Sequence, residues 1–224
     1  MKIRVTSILL ILFVFTTLMA TAQNKGKQFK GTITYQISYP ESNLSASQLT
    51  AMPQTMVLKL NEGKSRAELK MGEMNQVLLL DSEAKTTVIL IDIMGRKAAI
   101  KPRKGSDRPL GKEPIVESAN ESKEIAGFVC KKANIHYGDE KSKANPIEVY
   151  YSEEVGSNKI FYDNEYRNLT GIPLEFRYKM QGMNMLLTAT KVEEGRVANR
   201  EFDIPSDYKE STPEELRQMF GGGM

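Results

Sequence analysis

The sequence Glu-Ile-Ala-Gly-Phe-Val-Cys-Lys-Lys-Ala-Asn-Ile-His-Tyr occupies residues 124–137 and contains the only cysteine and the only histidine of a 224-residue chain. Gly127 lies between two β-prone runs, where a residue without a Cβ can take a positive φ, so we predict a bend between two strands. Amphipathic strand patterns occupy residues 29–102 before this segment and 147–205 after it. Each set needs a partner to bury its apolar side, so the segment is predicted to join two halves of one sheet.

The N-terminus has the pattern of a secretory signal peptide. Lys2 and Arg4 precede an apolar run over residues 8–19, and Ala20-Thr21-Ala22 follows with small side chains. The run is shorter than the roughly 20 residues of a membrane-spanning helix, and the sequence has no second such run. We therefore expect cleavage after Ala22 and a periplasmic or secreted protein without a transmembrane segment.

Composition predicts a single domain over residues 23–224. The chain is 40% hydrophobic and 26% charged, as in an ordinary globular protein. Its formal net charge of +3 includes Lys2 and Arg4 of the predicted signal peptide, so the exported part is close to neutral, which excludes a typical nucleic-acid binder. A single cysteine excludes an internal disulfide, so stability must come from the core.

Alternation of apolar and polar residues predicts the strands. It runs over residues 29–39, over 55–60 and 65–71 around a turn at 61–63, and over 173–181 and 184–192. Residues 76–80 and 86–91 are apolar without alternation, which predicts a hairpin covered on both faces. Residues 96–101 and 147–151 are predicted as shorter strands, and a last strand is predicted over residues 200–204.

Two short helices are predicted. Residues 42–52 form the first, which ends at Pro53. The second spans residues 212–220, because Thr212 is a good N-cap, Pro213 suits the first helical position and Glu215 completes a capping box. Its apolar side consists of Leu216, Met219 and Phe220, which we expect to dock over the sheet as a lid. Residues 101–114, rich in proline, glycine and charge, are predicted as an exposed loop.

So little helix cannot cover a flat sheet of many antiparallel strands. The predicted fold is therefore mainly β, a curved antiparallel sheet that forms an unclosed half-barrel with one or two short helices in its mouth.

Several segments resemble a family of exported Bacteroidota proteins known as a domain of unknown function. The resemblance lies in residues 51–53 leading to 64–66, 86–95, 125–133, and 171–175 with 204–208. That family in turn resembles the LolA-like fold of periplasmic lipoprotein carriers, an unclosed barrel that holds acyl chains under a helix. The resemblance implies a half-barrel that binds lipid, and it implies no catalytic residues.

No catalytic, metal or cofactor site is predicted. Cys130 could be a nucleophile, a metal ligand or an intermolecular disulfide partner, but free cysteines are among the most buried residues and we interpret it as core. His136 has no G-x-S-x-G partner, and neither H-E-x-x-H nor paired C-x-x-C is present, so we interpret it as a structural or surface histidine. The methionines, including Met183 and Met185, could ligate Cu(I), yet core or pocket lining is the commoner role.

The apolar strand faces define the candidate ligand site. Its predicted lining residues are Tyr35, Ile37, Leu69, Phe176, Tyr178 and Met180, which would otherwise be ordinary core. We hypothesise an exported, non-enzymatic module that binds an apolar ligand, a lipid or an acyl chain, in the half-barrel. The alternative is an envelope interaction or assembly module without a small ligand, which would use a strand edge or the basic loop at residues 101–114.

Overall fold

The computed structural model describes residues 28–40, 42–101, 112–157, 159–162, 164–180 and 183–221, with the side chains of residues 180, 183 and 219–221 outside the description. The predicted signal peptide and most of the loop predicted at residues 101–114 lie outside the described residues.

Within the residues that the structure describes, twelve strands form one sheet. They are β1 (Gly31–Ser38), β2 (Thr55–Asn61), β3 (Lys64–Met71), β4 (Met74–Asp81), β5 (Thr86–Ile93), β6 (Arg96–Ile100), β7 (Ile115–Ile125), β8 (Phe128–His136), β9 (Ile147–Ser152), β10 (Ile172–Met180), β11 (Met183–Glu194) and β12 (Lys209–Ser211). Their order in the sheet is β12-β6-β5-β4-β3-β2-β1-β11-β10-β9-β8-β7. The first and last strands in this order do not pair, so the predicted mainly β, curved and unclosed sheet is present. Its pairing is antiparallel except between β12 and β6.

The described part of the chain contains three short α-helices beside the sheet, where one or two were predicted. They are α1 (Ala46–Thr50), α2 (Glu140–Ala144) and α3 (Pro213–Gly221). α1 begins after Ser45, which forms a capping box with Gln48, and α3 begins after Thr212, which forms one with Glu215. The prediction missed α2 because its five residues are too few for an apolar period, although Asp139 caps it.

The segment at residues 124–137 does not join two halves of the sheet, contrary to the prediction. It supplies the end of β7 and all of β8, a hairpin at one edge of the sheet. The halves meet where β1 pairs with β11. β7 is largely exposed and polar, which suits an edge strand, whereas β1 and β11 bury alternate apolar side chains and need neighbours on both sides.

Tight turns set the register of three hairpins. Glu62-Gly63, Met94-Gly95 and Ala126-Gly127 all have positive φ at both residues, which is the type I′ geometry that matches the twist of two-residue hairpins. Gly127, at φ +84°, confirms the predicted bend.

The main core lies on one side of the sheet, which we call the inner face and define by Ile33 and Tyr35 of β1. Tyr35 is fully buried, and its hydroxyl donates a hydrogen bond to the carbonyl of Pro173 in β10 at 2.8 Å. Its ring meets Phe176 edge-on, with centroids 5.6 Å apart. Cys130 of β8 belongs to the same buried cluster although three strands separate β8 from β1 in the sheet. The sheet must therefore curl around this core.

The opposite, outer face of β4–β6 is covered by residues 199–208. Ile204 and Tyr208 pack against a second buried cluster, formed by Val77, Leu79, Leu90 and Ala99. The strand predicted at residues 200–204 is wrong, because this segment forms a 3₁₀ turn, Asn199–Phe202, followed by irregular chain. Glu201 holds the turn on the outer face, where its carboxylate accepts a hydrogen bond from Lys59 at 2.8 Å.

Candidate ligand-binding surface

The inner face continues from β1 across to β6 and is largely apolar, although Gln76 lies between Leu69 and Ile91 in one of its rows. Residues directly opposite each other in antiparallel strands share a face, and the register aligns Ala67 with Leu78, Leu78 with Ile89 and Ile89 with Ile100. The neighbouring positions on this face follow by alternation. We call the following six half-buried residues the open apolar surface: Leu69, Leu78, Leu80, Ile89, Ile91 and Ile93.

Burial changes sharply along this inner face. On β1 and β2, Ile33, Tyr35 and Leu60 are all fully buried by the curled half of the sheet. On β4 and β5 the inner-face side chains are only half-buried, whereas Leu79 and Leu90 on the outer face are 4% and 0% exposed. β4 and β5 thus bury Leu79 and Leu90 of the outer face more completely than the apolar side chains of the inner face.

The predicted lining residues divide between the core and its rim. Tyr35, Ile37 and Phe176 are buried in the main cluster, while Leu69 is half-buried and packs against it. Tyr178 is 44% exposed near the turn between β10 and β11.

Met180 is in the last position of β10, and its side chain lies outside the described residues. Of these predicted residues, only Leu69 is part of the open apolar surface, so the lining role of the set stays a prediction.

The predicted lid helix starts at the edge of the open apolar surface. β12 runs parallel to β6 and aligns Ser211 with Ile100, in the row that also contains Ile89 and Leu78. α3 begins two residues after Ser211, and its Leu216 is half-buried. The side chains of Met219 and Phe220 lie outside the described residues, so docking of the helix stays a prediction.

Cys130 is held as a neutral thiol. Its side chain is fully buried, and this desolvation raises its pKa to about 11 although Lys123 acts in the opposite direction. A thiol in this state is a weak nucleophile and a poor metal ligand at neutral pH. The prediction of a buried core cysteine is confirmed.

His136 lies near the end of the β7–β8 edge hairpin and is 3% exposed. Its Nδ1 accepts a hydrogen bond from the backbone N–H of Gly138 at 3.0 Å, so a neutral ring carries its proton on Nε2. The Oε1 atom of Glu117 is 3.0 Å from Nε2 but outside hydrogen-bond alignment. Cys130 lies six residues away along the same strand, about 20 Å at the usual rise, which is too far for a Cys–His pair.

The described part of the chain contains no group of three or more His, Cys, Asp or Glu residues arranged to hold a metal ion. Within the same residues, no helix combines the length and apolar content needed to cross a membrane.

Comparison with solved structures yields a likeness of fold. A structure of PNGF-II in space group C2 is similar, with a TM-score of 0.50 and 16% sequence identity over 87% of this chain. The likeness covers only 33% of the PNGF-II chain, so this chain spans about a third of that protein. At this identity the likeness concerns the fold alone. No protein-family model matches the sequence, and no curated protein matches it significantly.

Sequence reasoning missed most of the open apolar surface. The signal was present as the continuous apolar runs at residues 77–80 and 88–91, which predicted that both faces are covered. The structure packs the outer face of these strands but leaves the inner face half-exposed.

Proposed function

We propose that this protein is an exported, non-enzymatic module that binds an apolar ligand, a lipid or an acyl chain, on the open apolar surface. The supporting observation is the contrast in burial between the two faces of β4 and β5. Ile89 and Ile91 are half-exposed on the inner face, while Leu79 and Leu90 on the other face are buried. A contiguous apolar surface that the fold leaves accessible is a typical place for an apolar ligand.

The position of α3 supports a lid over this ligand. The helix follows β12, which aligns with the β6 end of the rows that form the open apolar surface. A helix of nine residues is marginal in water by itself, so its order should depend on contact with the sheet or the ligand.

The surroundings of Cys130 and His136 support a role without catalysis. The thiol is buried and neutral, and the imidazole is enclosed by its own hairpin. Neither side chain is part of the open apolar surface.

Native mass spectrometry of the protein purified from its own cell envelope tests this proposal. We expect a mass above that of the polypeptide, released on activation as one or more lipids. Recovery of ligand-free protein only, together with no displacement of a fluorescent fatty acid, would refute the proposal.

A pair of variants on one strand tests the location. Ile91 and Val88 are both half-exposed on β5 but lie on opposite faces. Ile91→Thr should weaken binding of a fluorescent fatty acid about fivefold to tenfold, because it removes apolar contact area at the ligand. Val88→Thr is the matched control and should bind as the parent does. Equal effects of the two variants would place any binding elsewhere.

A second candidate function is an envelope interaction or assembly module. The observation that favours it is the free edge of β7, which has eleven residues and pairs only with β8 in the described part of the sheet. Such an edge can accept a strand from a partner. Cross-linking in cells separates the two functions. A defined protein partner that is lost when Lys101, Arg103, Lys104 and Arg108 are replaced by glutamine, or on Ser118→Pro in β7, would favour assembly.

A further inference from the structure

Two neighbouring turns lie at one end of the open apolar surface, and apolar side chains flank them. The β3–β4 turn lies between Met71 and Met74, and the β5–β6 turn lies between Ile93 and Arg96. The register aligns Met71 with Met74, Met74 with Ile93 and Ile93 with Arg96. The backbone N–H of Met94 donates to the carbonyl of Glu73 at 3.5 Å, which links the turns directly. We call Met71, Met74, Ile93 and Met94 the methionine tip.

Met94 is the most unusual residue of this tip. Its side chain is 80% exposed, and its backbone has φ +52°. The first central position of a type I′ turn favours Asn, Asp or Gly, because a larger side chain is strained at positive φ. Glu62 and Ala126 occupy the same turn position at φ +46° and +51°, so this backbone conformation is not particular to Met94. What distinguishes Met94 is its large apolar side chain, which makes so little contact within the chain that it is accessible to a surface outside it.

Two cations flank the tip. Arg96 and Lys70 are exposed, and neither forms an ion pair within the described part of the chain. Glu73 is the exposed carboxylate of the two turns, while Asp92 accepts a hydrogen bond from the backbone N–H of Gly95 at 2.9 Å. Arg96 lies in the row of Met74 and Ile93, and Lys70 lies on the other face of the sheet, so one cation stands on each side of the tip. An exposed methionine between two long cationic side chains suits the interface of a bilayer, where the apolar part enters the acyl region and the cations reach lipid phosphates.

We propose that the methionine tip docks the protein on a lipid bilayer. Met94 enters the acyl boundary, while Arg96 and Lys70 contact phosphates. The open apolar surface begins at Ile93, so docking would bring it next to the lipid. This proposal is independent of whether the open apolar surface retains a ligand in solution. Vesicle binding and ligand content are measured in separate experiments, so one can fail while the other succeeds.

Flotation with vesicles of phosphatidylcholine and phosphatidylglycerol tests the proposal with the full exported chain. Met94→Asn should weaken partitioning of the protein onto vesicles about tenfold or more, because asparagine cannot replace the methionine side chain that enters the lipid. Asparagine suits positive φ, so this variant should fold at least as stably as the parent. The matched control is Glu62→Asn, at the same position of the type I′ turn at the other end of β3. Because it removes an acidic side chain that pairs with Lys30, it should bind anionic vesicles at least as well as the parent does and pure phosphatidylcholine equally well.

The charges are tested separately. Arg96→Gln and Lys70→Gln should each reduce binding to the anionic vesicles about fivefold and change binding to pure phosphatidylcholine much less. Met94→Asn should reduce binding to both. The proposal is wrong if the parent protein does not float with the vesicles, or if Met94→Asn floats as the parent does. It is also wrong if Met94 cross-links to a protein in cells and the purified protein does not bind vesicles.

Discussion

Tyr35 provides the sharpest stability test of the curled sheet. Its hydroxyl donates to the carbonyl of Pro173 at 2.8 Å, and both residues are buried. Burial, and secondarily Cys130, raises the pKa of Tyr35 well above its ordinary value, so the hydroxyl stays a donor at any ordinary pH. The bond connects β1 to β10 across the intervening β11. It therefore depends on the packing of these three strands around the buried Tyr35 ring.

Tyr35→Phe keeps the ring and its edge-on contact with Phe176 but leaves the buried Pro173 carbonyl without this donor. The expected loss is about 1–3 kcal/mol of unfolding free energy, the range for an unsatisfied buried polar group. The matched control is Tyr39→Phe, since the hydroxyl of Tyr39 donates to the carbonyl of Pro53 at 2.7 Å from a half-exposed position. Tyr39 is more accessible to water than Tyr35, so the control should lose less, about 0.5–1 kcal/mol.

Urea unfolding followed by far-UV circular dichroism measures both variants. Tyr35→Phe should lower the midpoint clearly more than Tyr39→Phe, with unchanged slopes for both. Equal losses of unfolding free energy in the two variants would refute the inference that this bond stabilises the core between β1 and β10. A loss of less than about 0.5 kcal/mol for Tyr35→Phe would refute it as well.

Three further predictions concern the thiol, an acidic turn and the C-terminal helix. Cys130 should react with a thiol reagent only as fast as the protein unfolds, because its side chain is fully buried; rapid labelling of the native protein would contradict this. A hydrogen bond from the backbone N–H of Ala84 lowers the pKa of Asp81, and a second one from Glu83 lowers it further. The stabilisation that ionised Asp81 adds to the folded state is therefore present above its ordinary pKa and is lost as the pH falls through the lowered value. Asp81→Asn should cost less than about 1 kcal/mol at neutral pH and show a smaller acid-induced loss of stability; an unchanged pH profile would contradict this. Truncation after Ser211 should raise the binding of an environment-sensitive hydrophobic dye while most β-structure remains, and unchanged dye binding with unchanged thermal stability would mean that α3 is no lid.

Local features of the structure could be predicted because short stretches determine them. Glycine at positive φ identified the turns at Gly63 and Gly127, and the capping pattern at Thr212 identified α3. Strict alternation identified β1, β3 and β10. Each signal depends on a few neighbouring residues, so no knowledge of distant contacts was needed.

Long-range features could not be predicted in the same way. The pairing of Ile33 with Val192 depends on segments that are remote in sequence. Ile204 and Tyr208 cover the outer face from a segment whose sequence has no periodic pattern. Residues 200–204 of that segment were therefore mistaken for a strand. The half-exposed state of Ile91 depends on where the sheet curls, which alternation does not reveal.

Photo-cross-linking with a diazirine-bearing fatty acid, followed by peptide mapping, tests the proposal that the open apolar surface binds the ligand. We expect adducts on the inner-face residues of β4 and β5, above all Leu78, Ile89 and Ile91, with few on Val88 of the outer face. These adducts should be reduced by an excess of unlabelled fatty acid. Adducts scattered over both faces, or concentrated away from the open apolar surface, would contradict it.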